Sequence, residues 1–292
     1  MTGTAIISLD CEGRWGVADH LTPALAEGLG DTRLRAAYRA ITDLFAGAQI
    51  SATFAFVELF TRPASRETTA LVRDLAQELP YLASAAVGLA AGEEGWVGDW
   101  ALDMVGEKGG KGGHEIAFHG ATHVPWNDLT RDQARREFEL ARPEHRQTMV
   151  FPRNLVAHLD VLAEFGCKAY RGHRQFASRA QSLLSEFDLG VPSQPLPDPV
   201  DGWPLELPSG IFINWRSGPR KLVPPAVTQR RARNLLCHAA RTGGVAHFWL
   251  HPENIATAPA TLANLEGIVE EIVRFRDAGQ IRVATQLSAV GE

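Results

Sequence analysis

The feature of this sequence that most restricts its fold is the alternation of short apolar runs with helical stretches. Seven runs have the length and composition of β-strands, namely residues 4–9, 51–57, 115–120, 167–172, 210–215, 245–250 and 281–285. Between them, apolar residues recur at helical spacing, as in Leu34, Tyr38, Ile41 and Phe45, and again in Leu262, Leu265, Ile268, Ile272 and Phe275. Such alternation predicts an α/β fold with a parallel sheet, either open or closed into a barrel.

Local signals place some of the boundaries between these elements. Thr130 and Gln133 have the spacing of a capping box that begins a helix, and Gly166 suits the left-handed position that ends one. The glycine-rich stretch 106–114 lacks the ending of a phosphate-binding loop and is interpreted as a mobile loop. Proline is dense in 192–208, which predicts an extended loop. No linker or internal repeat divides the chain, so we expect a single domain over residues 1–292, with an insertion near 84–114.

Composition excludes several classes of protein. The 292 residues are 45% hydrophobic and 22% charged, which is typical of a globular protein with a substantial core. A net charge of −5 predicts no nucleic-acid partner and no anionic membrane surface. No apolar run is long enough for a membrane span or a signal peptide, and three scattered cysteines do not make a disulfide framework. We therefore expect a soluble, cytoplasmic protein.

Polar side chains follow three of the predicted strands, at the point where each strand ends. The first strand leads into Asp10 and Glu12, the third leads into His119 and then His123, and the strand at 245–250 leads into His251. In α/β barrels the carboxyl ends of the strands meet at one face, which carries the chemistry. We therefore expect these five side chains to converge. Taken alone, the acidic pair could equally begin a turn at Gly13, and the histidines would more often be loop, core or capping residues.

The acidic pair indicates what kind of site this is. Asp10 and Glu12 are two residues apart, so on an extended backbone both side chains leave on the same face while Cys11 points the other way. Two carboxylates on one face repel each other unless something positive compensates, and a divalent metal ion is the obvious candidate. Together with the two imidazoles, the pair predicts a metal site.

In their order along the chain, these motifs resemble those of the polysaccharide deacetylase, or NodB-homology, superfamily of metal-dependent amidohydrolases. The matching segments are SLDCEG (8–13), HGATH (119–123), FPRN (151–154) and WLHP (249–252). The resemblance covers nearly the whole chain. It implies a distorted (β/α)7 barrel that binds one divalent ion and hydrolyses an amide.

The resemblance also implies roles for the residues. Glu12, His119 and His123 would be the metal ligands, Asp10 the general base and His251 the general acid; the opposite division between Asp10 and Glu12 stays open. Zinc is the expected ion, and cobalt, nickel, manganese or iron would also suit these ligands. The sequence departs from the family's commonest pattern in two places, since a residue separates the two acids and Pro152 precedes the arginine. Either Arg153 or Arg171 is therefore expected to orient Asp10.

The substrate is less closely defined by the motifs. Trp15, Trp126 and Trp249 lie within a few residues of them and, with Arg171, are candidate substrate-binding residues. The leading hypothesis is an N-deacetylase acting on a small-molecule or oligosaccharide N-acetylated sugar in intracellular glycan metabolism. An allantoinase-like cyclic amide hydrolase and a non-catalytic barrel that binds a glycan or a partner are the alternatives. The sequence leaves open whether the chain forms a homo-oligomer.

Overall fold

A parallel sheet is the central feature of the computed structural model, which describes residues 2–107, 113–173, 184–187 and 195–291. Its strands within these residues are β1 (Gly3–Cys11), β2 (Thr53–Phe56), β3 (Glu115–Phe118), β4 (Thr148–Val150), β5 (Ala169–Arg171), β6 (Leu205–Leu207), β7 (Ile211–Phe212), β8 (Val245–Leu250) and β9 (Ile281–Ala284). The strands follow the order β6-β5-β4-β3-β2-β1-β8-β7, and β9 pairs with the first half of β1. β1 therefore lies at the centre, next to three other strands.

Helices connect the strands and cover the outside of the sheet. In the described part of the chain they are α1 (Pro23–Gly28), α2 (Asp31–Ala48), α3 (Arg66–Glu78), α4 (Ala83–Ala91), α5 (Trp100–Glu107), α6 (Arg131–Leu140), α7 (Leu159–Glu164), α8 (Pro225–Thr242), α9 (Pro252–Thr257), α10 (Leu262–Asp277) and α11 (Gln286–Val290). The predicted apolar faces of α2 and α10 are buried, with Leu262 only partly so. The capping box at Thr130 and the left-handed Gly166 (φ +70°) are confirmed. Across the described residues, no helix combines the length and apolarity needed to cross a membrane.

The sheet curls strongly, as one hydrogen bond demonstrates. Three strands separate β5 from β1, and at about 4.8 Å per strand a flat sheet would hold them roughly 19 Å apart. The guanidinium of Arg171 in β5 nevertheless donates to Ser8 Oγ in β1 over 3.0 Å. The sheet thus forms the distorted (β/α)7-type barrel that was expected, with β6 and β7 at its two free edges.

Side chains alternate between the two faces of each strand, so that one face of the sheet contributes to the apolar core and the other lines the polar interior of the barrel. In β1, Leu9 and Cys11 face the helices and belong to the large outer core, whereas Ser8 and Asp10 face the barrel interior. The residues beside them on β2 and β3 are small, Ala55 and Ala117. These small side chains leave the interior wide enough for polar groups to reach across it.

Two strands were not predicted. β4 and β6 are three residues long and have prolines beside them, at 152 and at 204 and 208, whereas the equally short β5 and β7 lie within the longer predicted runs 167–172 and 210–215. The expectation of an extended loop over 192–208 is therefore wrong at 205–207, while 192–194 lie outside the described residues. Pro204 and Pro208 flank β6, and proline is tolerated there because β6 is an edge strand.

The segment 84–114 contains most of α4 and all of α5. Its Trp96 is buried and packs edge-on against Trp15, with ring centroids 5.6 Å apart, so part of this segment adjoins the carboxyl end of β1. That the segment is an insertion into a single domain stays a prediction. Of the glycine-rich loop within it, residues 108–112 lie outside the described part.

Candidate metal centre and active site

Strand register brings the predicted metal ligands to one edge of the sheet. Cys11 pairs with Phe56, and Phe56 pairs with Phe118, so Glu12 and His119 each stand one residue past the aligned ends of β1 and β3. Nε2 of His119 and Nε2 of His123 both lie 3.0 Å from Glu12 Oε1. One donor atom from each of the three residues falls within 4.8 Å of the others, and all three side chains are buried. The structure thus places together the three side chains that the sequence marked as ligands.

The outer hydrogen bonds of the two histidines are of the kind that histidine ligands of a metal ion make. Nδ1 of His119 lies 2.8 Å from the carbonyl oxygen of Val150, which can only accept a hydrogen bond, so Nδ1 carries the proton. Nε2, the other ring nitrogen, faces a carboxylate oxygen of Glu12, and as a metal ligand it would direct its lone pair to a cation between the two atoms. Nδ1 of His123 is likewise engaged, 3.2 Å from Tyr81 Oη. Outer partners of this kind orient histidine ligands in metalloproteins.

Asp10 lies beside this cluster in a buried ion pair. Arg171 donates from Nη1 to Oδ1 (2.7 Å) and from Nη2 to Oδ2 (2.6 Å), and neither side chain is appreciably exposed. Burial disfavours the Asp10 carboxylate, but Arg171 outweighs this effect and lowers its pKa. Asp10 is therefore an ionised carboxylate held in a fixed orientation.

Arg171 is held in turn by a buried polar network that sequence reasoning missed. Asn154 Oδ1 accepts from Nη2 (2.7 Å), and Ser8 Oγ accepts from Nη1 and lies 2.9 Å from His247 Nε2. Nδ1 of His247 donates to the carbonyl of Pro208 over 2.8 Å, which leaves Nε2 as the acceptor of the Ser8 hydroxyl. Burial and the nearby Arg171 lower the pKa of His247 to about 3, so it is neutral in this network. Only the position of Ser8, two residues before Asp10 on the same strand face, pointed to this network in the sequence.

His251 completes the cluster from β8. Leu250 pairs with Leu9, which brings His251 level with Asp10. Its Nε2 lies 3.4 Å from Glu12 Oε1 and 3.7 Å from Asp10 Oδ2, while Nδ1 lies 3.1 Å from Asn254 Oδ1. Burial disfavours the imidazolium, but the carboxylates of Glu12 and Asp10 dominate and raise the pKa of His251 to about 9. The imidazole is therefore protonated at neutral pH and faces the two acids.

These contacts distinguish the two arginines that were candidates for orienting Asp10. Arg171, and not Arg153, contacts Asp10. Arg153 instead donates to both oxygens of Asp19 at 2.6 and 2.7 Å and lies over the ring of Tyr81. The assignment of Arg153 as the partner of Asp10 is therefore corrected. The sequence could not distinguish the two arginines, because only the curl of the sheet brings β5 opposite β1.

The tryptophans also have different environments. Trp15 and Trp126 are fully buried; Trp15 packs on Trp96, and Trp126 packs among Phe118, Phe138 and Phe151. Both rings belong to the apolar core, so their expected role in binding substrate gains no support from this structure and stays a prediction. Their apolar area is used in the core instead.

Trp249 lines a cavity. This cavity has a volume of about 250 Å³ and adjoins His251, and Phe212 and Asn154 also line it. The rings of Trp249 and Phe212 have centroids 4.8 Å apart, and the guanidinium of Arg171 lies over the Trp249 ring. An aromatic wall therefore stands directly beside the predicted proton donor.

The chain matches known proteins in architecture but not in sequence. No protein-family model and no curated protein matches the chain. Among solved structures, a candidate polysaccharide deacetylase from Mycobacterium smegmatis superposes with a TM-score of 0.58 at 17% identity, over 99% of this chain and 90% of its own. The chain has the polysaccharide deacetylase fold. The predicted fold class is thereby confirmed.

The same barrel also occurs in a protein with different chemistry. A 4-α-glucanotransferase from Thermococcus litoralis superposes with a TM-score of 0.54 at 10% identity, over 100% of this chain and 41% of its own. The polysaccharide deacetylase fold alone therefore does not select the reaction, which has to be argued from the site.

Proposed function

We propose that the protein is a metal-dependent hydrolase that removes the acetyl group from an N-acetylated sugar. The observation that carries this proposal is the meeting of two clusters at the carboxyl ends of the strands. One is the ligand set Glu12, His119 and His123, and the other is the ionised Asp10 with the protonated His251. Amide hydrolysis requires these parts together: a metal-activated water, a base that takes its proton and an acid for the departing amine.

Each residue of these two clusters has a definite part in the proposed reaction. A divalent ion held by the three ligands, with zinc as the best match to one oxygen and two nitrogens, would supply a Lewis acid and lower the pKa of a bound water. Asp10 accepts the proton of the attacking water, since Arg171 keeps it ionised and in place. His251 holds a proton at Nε2 and delivers it to the leaving nitrogen.

The contacts of the two acids support the division of roles between them. Glu12 faces both imidazoles, whereas Asp10 has both oxygens on Arg171 and lies farther from the histidine pair. A carboxylate that is neutralised by arginine has less charge to offer a metal. Glu12 is therefore the ligand and Asp10 the base.

The cavity beside His251 supports the proposed substrate class. The Trp249 and Phe212 rings present flat apolar faces of the kind that stack on a sugar ring. A sugar placed there would have its amide nitrogen within reach of His251. A cytoplasmic location, and with it an intracellular substrate, stays a prediction from the sequence, as does a homo-oligomeric state.

The metal is tested by elemental analysis of the purified protein. We expect about one divalent ion per chain, and severe depletion in the double variant H119A/H123A, because a single remaining ligand makes a poor site. His114, just before the start of β3 and thus at the opposite end of the barrel, offers the matched control: H114A should retain the ion. Full metal content in H119A/H123A would refute the ligand assignment.

The reaction is tested by offering N-acetylglucosamine oligomers and, separately, allantoin to the metal-loaded protein. Release of acetate from the oligomers, abolished in D10N, is the expected result. Ring opening of allantoin without acetate release would make the protein a cyclic amide hydrolase. Failure on both substrates with the metal in place would favour the non-catalytic barrel.

A further inference from the structure

Two buried glutamates hold the two turns that carry the proposed metal ligands. Glu253, in α9, accepts hydrogen bonds at Oε1 from the backbone N–H of Glu12 (3.0 Å) and of Gly13 (2.6 Å). Glu253 is 7% exposed, and one of the two N–H groups belongs to a ligand itself. The carboxyl group of Glu253, which lies outside the sheet, thus holds the turn that follows β1.

Glu137, in α6, does the same for the turn between the two histidines. Its Oε2 accepts from the backbone N–H of Ala121 (2.6 Å) and of Thr122 (3.2 Å), and its Oε1 accepts from Thr122 Oγ1. Glu137 is 3% exposed. In both turns, therefore, one carboxylate oxygen receives two consecutive backbone N–H groups at the ligands.

One of the two turns has a backbone conformation that needs such support. His123, a ligand, has a φ of +63°, which is uncommon for a residue with a side chain. Gly13 and Gly120 have φ values of +55° and +76° in the same two turns. Glycine adopts these values without strain. A strained conformation such as that of His123 persists when the surrounding structure over-determines it, and Glu137 supplies that constraint.

We propose that Glu137 and Glu253 are positioning residues of the metal centre. By accepting consecutive N–H groups, each one fixes the turn from which a ligand projects, so the three donor atoms are already close together before an ion enters. The proposal rests on the metal site proposed above and goes beyond it, since neither glutamate touches the ion.

The chain offers a matched control in Glu115, at the first position of β3 and hence at the other end of the barrel. Glu115 is 9% exposed and accepts from the backbone N–H of Leu287 and from the hydroxyls of Thr53 and Thr148. Replacing Glu115 also leaves a buried N–H without an acceptor. The replacement therefore reproduces the loss of stability without altering a turn that carries a metal ligand.

The experiment measures Co²⁺ and Zn²⁺ affinity by competition with a chelator, alongside the visible spectrum of the Co²⁺ form. Variants E137M and E253M keep the length of the side chain but lose the acceptor, and E137Q and E253Q restore a carbonyl acceptor. We expect the two methionine variants to lose roughly 10–100-fold in metal affinity, the usual effect of removing an outer partner of a metal site. Their Co²⁺ spectra should shift, and the glutamine variants should recover most of the affinity. E115M should melt at a lower temperature but bind metal as the wild type does.

Three results would overturn the proposal. One is wild-type affinity in both methionine variants, and another is an equal loss of affinity in E115M. The third is failure of E137M and E253M to fold while E115M folds, since that would make the two carboxylates elements of the fold. Absence of metal binding by the wild-type protein would instead reject the proposed function, so the two failures are distinguishable.

Discussion

Replacing Arg171 by methionine tests the centre of the proposed site, because it leaves Asp10 buried without its partner. Asp10 is 2% exposed and Arg171 is fully buried. Removing one member of a buried ion pair typically destabilises a protein by about 3–5 kcal/mol. R171M is therefore expected to lose an amount in this range, together with catalytic activity, while its three metal ligands are unaltered.

The matched control is R153M. Arg153 also makes a short ion pair, but its side chain and that of Asp19 are 36% and 32% exposed. Pairs with this exposure contribute about 0–1 kcal/mol, since solvent screens them. Urea unfolding of the metal-free proteins, followed by tryptophan fluorescence, separates the two variants. Adding D10N to R171M should recover part of the loss, because the uncompensated charge is then gone.

The pH dependence of this loss gives a second readout. In the wild type, Arg171 lowers the folded-state pKa of Asp10, so the stability that this group contributes is present above its unfolded pKa of about 3.9 and is lost as pH falls through the lower folded value. In R171M burial still disfavours the Asp10 carboxylate while its strongest opposing group is gone, so the folded pKa rises relative to the wild type and the stability gained with rising pH shrinks. The difference between wild type and R171M should therefore be larger at pH 7 than at pH 4. A difference that does not change with pH, or an R153M loss equal to that of R171M, would refute the assignment.

Three further predictions concern single side chains. D10N should retain metal and lose turnover, whereas E12A should lose both; metal analysis with acetate release decides, and the reverse pattern would exchange the two roles. H251A should bind metal normally while kcat falls by about 10²–10⁴, and the alkaline limb of its rate profile should vanish, because that limb reports loss of the proton that His251 delivers. Because the pKa of His247 is lowered to about 3, the wild type should lose stability as pH falls from about 6.5 toward 3, by up to about 4–5 kcal/mol at 1.36 kcal/mol per pKa unit. In urea unfolding, H247Q should therefore lose less stability in acid than the wild type. An equal loss in both proteins would contradict a buried neutral imidazole.

Much of the fold could be predicted because its signals are local. Seven of the strands were visible as apolar runs, and the capping box at Thr130 was visible as a spacing of three. β4 and β6 were not, because prolines interrupt the sequence beside these short strands and their pairing partners lie elsewhere in the sequence. Their places in the sheet follow from the strands beside them.

The site divides in the same way. The sequence by itself determined the members of the candidate metal cluster, since Asp10 and Glu12 share a strand face and His119 and His123 share a short turn, and covalent spacing decides both. Only the tertiary structure decided which arginine meets Asp10, which tryptophan lines the cavity and which glutamates hold the ligand turns. The physical reason is that these contacts, such as Arg171 to Asp10 and Glu253 to Glu12, join residues more than 150 positions apart. They form only when a curled sheet and its outer helices bring distant strand ends together.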